Sequence, residues 1–361
     1  MDIEREIQRF IHETMSTVDD YNIDNFINLY HRLNGHINML FIRNLATKHK
    51  NFDALDFLYD QGVDMQTLFR DRNPIMIAIE EEFEDYEYSR WEWEWNWDEI
   101  VDYIMNHYID INSFSYACWI GDIERVKELY YIGIDNVNLL LGRNLCVEND
   151  NVDILHFLYQ QGVDIDNIFL NTNPLIIASK YGYDDIIDYL LYSKFHNVDV
   201  NRKGGNGSTA LIFAALYDQE NIVDKLLGTE KCDVNITDIN INNNALFYAV
   251  GGDNLNIVDK LIFYGSDVFH INKYGENLLH NAARSSNSKI LTRILSLGLD
   301  INDQDDDLNT PLIIAVQNGW YENVKILLEN GANVYIEDYY SKFPWDYASS
   351  NEIRNILKEY M

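Results

Sequence analysis

The stretch NTPLIIAVQNGWYENVKILLENGANV, residues 309–334, decides the fold. Thr310 precedes Pro311, and proline is best tolerated at the first position of a helix, where its missing N–H costs nothing. The apolar run that follows, residues 312–316, predicts a short first helix that stops near Gly319.

A second helix is predicted directly after it. Val324, Leu327 and Leu328 have the i, i+3, i+4 spacing of one helical face. Gly331 occupies the position after the helix where a positive φ is favoured. Neither helix can bury its apolar face alone, so this unit needs neighbours of the same kind.

The unit recurs along the chain. With Ala315 as the marker position, the four C-terminal markers are 33 residues apart and the earlier steps range from 29 to 39. A small residue is expected where two helices approach closely. The other marker positions are Ala46, Ala78, Ala117, Cys146, Ala178, Ala214, Ala249, Ala282 and Ala348.

Glycine and proline keep the same register. Other units have a glycine at the position of Gly331, and the four prolines of the chain share one position in the unit. The glycines are Gly62, Gly133, Gly162, Gly265 and Gly298, and the prolines are Pro74, Pro174, Pro311 and Pro344.

This period and pattern resemble the ankyrin repeat, whose consensus carries T-P-L-H-x-A at the start of the first helix of a 33-residue unit. The residues that carry the resemblance are TPLIIA (310–315), NLLHNA (277–282) and NPLIIA (173–178). The sequence departs from the family pattern at Cys146, which no Thr-Pro-Leu precedes.

Near-copies support the same register, since FLYDQGVD (57–64) and FLYQQGVD (157–164) lie 100 residues apart, which is three periods. The resemblance covers about residues 40–361. The richness in Asn, Ile, Asp and Tyr is similar to that of the large ankyrin sets of giant DNA viruses of amoebae.

The resemblance implies an all-α fold, a solenoid of about nine to ten helix-turn-helix units with short hairpin loops. We expect an N-terminal helical cap over 1–40, a repeat array over 41–342 with an insertion at 80–99, and a C-terminal capping repeat over 343–361. For residues 1–40 a second interpretation stays open, a segment that docks the chain to a ubiquitin ligase as a substrate receptor.

The chain is strongly acidic, with a net charge of −32 from 59 acidic and 27 basic residues. Such a field repels phosphate backbones and disfavours nucleic-acid binding. It would steer a basic partner towards the surface. The alternative is that the charge only keeps a repeat protein in solution.

The sequence favours an intracellular, cytoplasmic protein, in the host-cell cytoplasm if the chain is viral. The N-terminus has no apolar signal-peptide core, and no apolar run approaches the length of a membrane span. The three cysteines are odd in number and scattered, so they imply no disulfide framework.

An insertion interrupts one unit, because the segment from Ala78 to Val101 is 14 residues longer than the one from Ala315 to Val324. In a strand, the period-two alternation of its WEWEWNW run would place the four indoles on one side. One interpretation is a projecting flap that binds a basic partner, since tryptophan is enriched at binding hot spots. The other is that the insertion extends the two helices and packs on neighbouring units. The tryptophans are Trp91, Trp93, Trp95 and Trp97.

Three features imitate catalytic or metal sites. Residues 203–209 lack the lysine of a phosphate loop. The acidic run 303–309 lacks the glycine and glutamate of a calcium loop. His280 fills the histidine slot of the repeat, where the family uses it for local hydrogen bonds. We therefore expect no enzyme activity, no cofactor and no metal site.

The predicted function is protein–protein interaction by a scaffold, with a protein partner that the charge favours as basic, no nucleic acid, no membrane and a monomeric chain. The resemblance implies binding by the inner faces of the first helices, which line a concave side, and by the hairpin tips. The candidate first-helix residues are Phe213, Tyr217, Tyr248, Asn281, Arg284, Ile314 and Gln317. The candidate tip residues are Arg202, Lys203, Lys273, Tyr274, Asp305, Asp306 and Tyr340.

Overall fold

A computed structural model gives the fold of the protein. It describes residues 43–44, 46–47, 52–63, 65, 74, 76–77, 113–134, 136–193 and 197–361. Within these residues the regular structure is helical, and two isolated β-bridges pair Phe169 with Thr172 and Thr237 with Asn244. The all-α prediction is confirmed.

The helices are short and, after α1 (Phe52–Asp60), they come in pairs of a first and a second helix. The pairs are α2 (Phe114–Trp119) and α3 (Ile123–Ile132); α4 (Asn136–Glu148) and α5 (Val152–Gln160); α6 (Pro174–Tyr181) and α7 (Asp184–Tyr192); α8 (Ala210–Leu216) and α9 (Glu220–Leu227); α10 (Ala245–Gly251) and α11 (Leu255–Phe263); α12 (Leu278–Arg284) and α13 (Ser288–Leu295); α14 (Pro311–Gln317) and α15 (Tyr321–Glu329); α16 (Pro344–Tyr347) and α17 (Asn351–Glu359).

The described residues thus contain eight complete pairs, where the sequence predicted about nine to ten units. The further units were predicted around Ala46 and Ala78. Ala46 is helical and buried, while Ala78 lies outside the described residues. Two compact units divide the chain: one comprises residues 1–149, 153–163 and 168–172, and the other 150–152, 164–167 and 173–361.

In the second compact unit the first helices pack in series, from α6 through α8, α10, α12 and α14 to α16. Each also packs on its own second helix. In the first compact unit α2 packs on both α3 and α4. The core lies between first and second helices, because the first helices are almost wholly apolar and the second helices turn one apolar face inward.

The marker position is buried wherever the structure describes it, as the sequence predicted. Cys146 keeps the register despite the missing Thr-Pro-Leu, because it is fully buried within α4. Gly142 shows how close the helices come: a Cβ there would lie 2.6 Å from Cε1 of Phe114 and 2.8 Å from Sγ of Cys118. The other buried markers are Ala46, Ala117, Ala178, Ala214, Ala249, Ala282, Ala315 and Ala348.

The ends of the helices follow from the predicted signals. Thr310 precedes α14 with extended backbone, and its hydroxyl accepts the Ile313 N–H at 3.3 Å while Pro311 begins the helix. Gly331 follows α15 with φ of +93°, a conformation that side chains disfavour. The corresponding glycines also have positive φ: Gly62, Gly133, Gly162, Gly265 and Gly298.

A loop follows each of the second helices α7, α9, α11, α13 and α15, and we call these the base loops: residues 197–201, 229–235, 264–269, 296–302 and 330–335. Asparagine side chains tie neighbouring base loops together. Asn201 Nδ2 donates to Lys231 O at 2.8 Å, and its Oδ1 accepts the Asp233 N–H at 2.8 Å. Asn235 and Asn302 accept a backbone N–H of the following loop in the same way.

Candidate functional site

An aspartate or asparagine shapes the turn before each of four first helices. In the turn before α14, Asp305 Oδ1 accepts the N–H groups of Asp307 (3.0 Å) and Asn309 (2.8 Å). Asp305 is buried, and these backbone N–H groups hold its carboxylate. The equivalent positions are Asp238, Asn272 and Asp338.

Backbone hydrogen bonds join successive turns into a row, which we call the turn row: residues 202–207, 238–243, 272–276, 305–309 and 338–342. In each bond an N–H of one turn donates to a carbonyl of the preceding turn. The bonds are Ile239 N to Asn206 O (2.8 Å), Lys273 N to Ile241 O (2.9 Å), Asp306 N to Tyr274 O (3.0 Å) and Tyr339 N to Asp307 O (3.0 Å).

The turn row brings most of the predicted tip residues to the surface. Tyr340 is 73% exposed, and Tyr339 beside it is 68% exposed. Asp305 is the exception, because the turn backbone covers it. The other exposed candidates are Arg202, Lys203, Lys273, Tyr274 and Asp306.

The first helices present a second set of side chains, which we call the first-helix face: Tyr217, Tyr248, Asn281, Arg284, Gln317 and Tyr347. All of them are exposed or half-buried. Phe213 and Ile314, also predicted for this surface, are 1% and 3% exposed. They are apolar and contribute to the core between first helices, so a partner would not reach them.

Hydrogen bonds connect the first-helix face to the turn row. Tyr248 OH donates to Asp238 Oδ2 at 3.1 Å, and Tyr347 OH makes the same bond to Asp338. The bond to Asp338 raises the pKa of the Tyr347 hydroxyl to about 12. Each of these two turns therefore orients an aromatic side chain on the helix that follows it.

Arg284 is oriented in a similar way, by an ion pair with the carboxylate of Glu276. Burial alone would raise the pKa of Glu276, but the hydrogen bond and the charge of Arg284 lower it. Neither Glu276 nor Tyr347 was predicted from sequence. Tyr347 could have been, since it stands directly before the marker Ala348 as Tyr248 stands before Ala249.

At the other end of the row, the charge of the candidate tip residue Arg202 is partly neutralised. Arg202 Nη2 lies 2.6 Å from Asp166 Oδ2, in the same compact unit. Lys180 is buried, and its Nζ lies 4.7 Å from the ring centre of Tyr181 and 5.6 Å from that of Tyr217. Rings in this position attract an ammonium group.

His280 is a structural residue. It is fully buried, its Nδ1 accepts the Asn277 N–H at 3.2 Å, and its Nε2 lies 3.1 Å from the carbonyl oxygens of Asp303 and Asn309. Burial lowers its pKa, although the nearby carboxylates of Asp305 and Glu276 act the other way. The ring joins α12 to the next turn.

Two predicted elements lie outside the described residues: the insertion at 80–99 with its four tryptophans, and the segment 1–40 on which the ubiquitin-ligase interpretation depends. Both stay predictions. So do the proposed domain limits.

The sequence matches a family described as ankyrin repeats (3 copies), over residues 114–203, 144–238 and 246–338, more than half of the chain. The chain belongs to the ankyrin-repeat family. The turn row and the first-helix face are therefore parts of an ankyrin array.

Relatives with ankyrin repeats include viral proteins. An ankyrin repeat protein of fowlpox virus is 30% identical over 51% of this chain and 43% of its own length. One of Acanthamoeba polyphaga mimivirus is 24% identical over 46% of this chain and 26% of its own length. A palmitoyltransferase of Lachancea kluyveri is 26% identical over 57% of this chain and 29% of its own length. The chain thus spans less than half of each relative.

The absence of an activity stays a prediction. Within the described ranges no group of three His, Cys, Asp or Glu side chains could hold a metal ion. In that same part of the ankyrin array no helix combines the length and the apolar character that a membrane span requires.

Proposed function

We propose that this ankyrin-repeat chain is a non-catalytic scaffold that binds a partner protein along the first-helix face and the turn row. Ankyrin repeats are typically protein-interaction modules, and the family membership supports this class of function. Beyond this class of function, we propose which surface of the chain binds and what chemistry the partner has.

One observation carries the choice of surface: exposed or half-buried aromatic and charged side chains line the first helices, and the preceding turns orient three of them. The bonds from Tyr248 to Asp238, from Arg284 to Glu276 and from Tyr347 to Asp338 fix three of these side chains before any partner arrives. Pre-organisation reduces the entropy lost on binding.

The charge favours a basic partner. The net charge is −32, and the turn before α14 exposes Asp303, Asp306 and Asp307 next to Tyr339 and Tyr340. Complementary charges accelerate association and select among partners. Arg284 and Lys203 on the same surface would then pair with carboxylates of the partner and fix its orientation.

The test is affinity capture from the native host cell with quantitative mass spectrometry. The bait is the full chain, the double variant Arg284→Ser and Tyr340→Ser, or the control Tyr192→Ser, which changes a tyrosine that is 57% exposed at the end of a second helix. We expect a saturable partner that the wild type and the control retain and the double variant loses. Equal capture by all three chains would overturn the proposed surface.

A further inference from the structure

The last residue of α11 and the base loop after it expose three aromatic side chains. Phe263 is 84% exposed, Tyr264 is 49% exposed and Phe269 is 62% exposed. The rings of Phe263 and Tyr264 pack edge to face, with their centres 5.4 Å apart. We call these three residues the base patch. The neighbouring units have small or polar residues at the position of Phe263: Gly228, Ser296 and Glu329.

Phe269 stands where neighbouring loops have the tying asparagine. The equivalent residues are Asn201, Asn235 and Asn302, and each of them accepts an N–H of the following loop. Phenylalanine forfeits those hydrogen bonds and also exposes its ring to water. The missing hydrogen bonds lower stability, and an exposed ring gains little burial that would offset the loss.

Tyr335 shows what an aromatic residue does at this position when it serves the fold. Its ring lies 6.0 Å from the ring of Trp345, and its hydroxyl hydrogen-bonds the backbone of Met361. Within the described residues no aromatic ring packs on Phe269 in this way.

The backbone beneath the base patch is held in place. Asn235 Nδ2 donates to Gly265 O at 3.3 Å and its Oδ1 accepts the Asp267 N–H at 2.8 Å. Asp267 Oδ1 in turn accepts the Phe269 N–H at 3.0 Å. Exposed apolar side chains with a polar rim are a feature of interaction sites.

The rim determines the partner. The loops 229–235, 264–269 and 296–302 carry the carboxylates of Glu230, Asp233, Asp267 and Asp300 against the ammonium of Lys231. The guanidinium of Arg293, which lies 3.1 Å from Ser296 Oγ, is paired with Asp259. A second copy of this chain would bring another net charge of −32 to the contact and be repelled.

We propose that the base patch is a second docking site, which takes a Lys/Arg-rich segment of another protein with a large apolar side chain among its basic residues. The apolar side chain covers Phe263 and Phe269, and the basic side chains pair with the carboxylates of the rim. This site goes beyond the proposed function, because it uses the base loops and none of the first-helix face.

The experiment uses a random linear peptide library displayed on phage and selected on the full-length chain. Selected peptides are synthesised with a fluorophore, and their affinity is measured by anisotropy. The test variant combines Phe263→Ser with Phe269→Asn, which restores the residues of the neighbouring loops, and is therefore expected to fold at least as well as the wild type. The control is Arg284→Ser with Tyr340→Ser, on the surface of the proposed function.

We expect basic peptides with a central Leu, Met or aromatic residue, whose affinity falls about tenfold or more in the test variant and not in the control. Three outcomes would overturn the inference: peptides without basic residues, peptides that the test variant binds equally well, or peptides that only the control loses. The last would instead support the proposed function. Sedimentation that showed a dimer dissolved by the test variant would also overturn it, because a second copy would be the occupant.

Discussion

The side chain of Asn235 binds the backbone of Asp267, 32 residues further along: its Oδ1 accepts the Asp267 N–H at 2.8 Å, and its Nδ2 donates to the carbonyl oxygen of Gly265 at 3.3 Å. Two neighbouring units are thus joined at their base loops by one amide. Since each repeat contacts only its neighbours, such a joint adds to the interface between two units.

Replacing this amide should weaken the array. We expect Asn235→Ala to lower the free energy of unfolding by about 1–3 kcal/mol, since it removes two hydrogen bonds worth about 0.5–1.5 kcal/mol each. Urea denaturation followed by circular dichroism measures the change. Asn330→Ala is the control, because within the described part of the chain Asn330 Nδ2 bonds only to Ile326 O of the helix that it ends. Equal midpoints for the two variants would contradict the role of the joint.

Placing an asparagine at position 269, where the neighbouring loops have one, should strengthen the array. Phe269 has the same local turn as its counterparts, because its N–H bonds to Asp267 Oδ1. Asparagine would therefore fit there without strain and could reach the following base loop. We expect Phe269→Asn to raise the free energy of unfolding by about 1 kcal/mol, measured by the same denaturation. A lower midpoint would show that the exposed ring stabilises the fold after all.

Much of the fold could be predicted from sequence, because a solenoid repeats one local solution. The proline at the start of α14, the small residue at Ala315 and the glycine after α15 each follow from local conformation or close packing. They keep their meaning in every unit. Period and register were accordingly readable even at Cys146, where the consensus is missing.

The site was less predictable, because exposure depends on what the neighbouring unit places alongside. Phe213 and Tyr248 both precede a marker alanine, yet Phe213 is buried in the core and Tyr248 reaches a turn carboxylate. The sequence predicts a surface position for Asp305, whereas its side chain is buried against the turn backbone. Phe269 becomes conspicuous only when the bonds of Asn201 and Asn235 are known.

Acid should destabilise the protein through His280. Its pKa in the folded state lies below the ordinary value, since burial disfavours the imidazolium. The unfolded chain therefore binds more protons between the folded pKa and about 6.5, and stability falls as pH falls through that window. Above about pH 6.5 the neutral ring makes its full contribution to the free energy of unfolding.

The measurement is the free energy of unfolding at several pH values between neutral and mildly acidic. We expect His280→Gln to be less stable than the wild type at neutral pH and to lose less stability on acidification. His156→Gln is the control, because His156 is exposed on α5. If His280→Gln kept the full acid dependence, the buried ring would not be its source.

Lys260, on the second helix α11, should add to the free energy of unfolding by an amount that depends on the salt concentration. Lys260 Nζ lies 2.8 Å from Glu220 Oε1 and 2.8 Å from Asp224 Oδ2, both on the preceding second helix, and its side chain is 27% exposed. In a chain of net charge −32, removing it also leaves the two carboxylates to repel each other. We expect Lys260→Met to cost about 0.5–1 kcal/mol at low salt and much less in concentrated sodium chloride, where ions screen the pair.

Lys325→Met is the matched control, because Lys325 Nζ lies 4.0 Å from Glu329 within one helix and should contribute little. A cost for Lys260→Met that stayed constant from low to high salt would assign its effect to packing of the aliphatic stem instead.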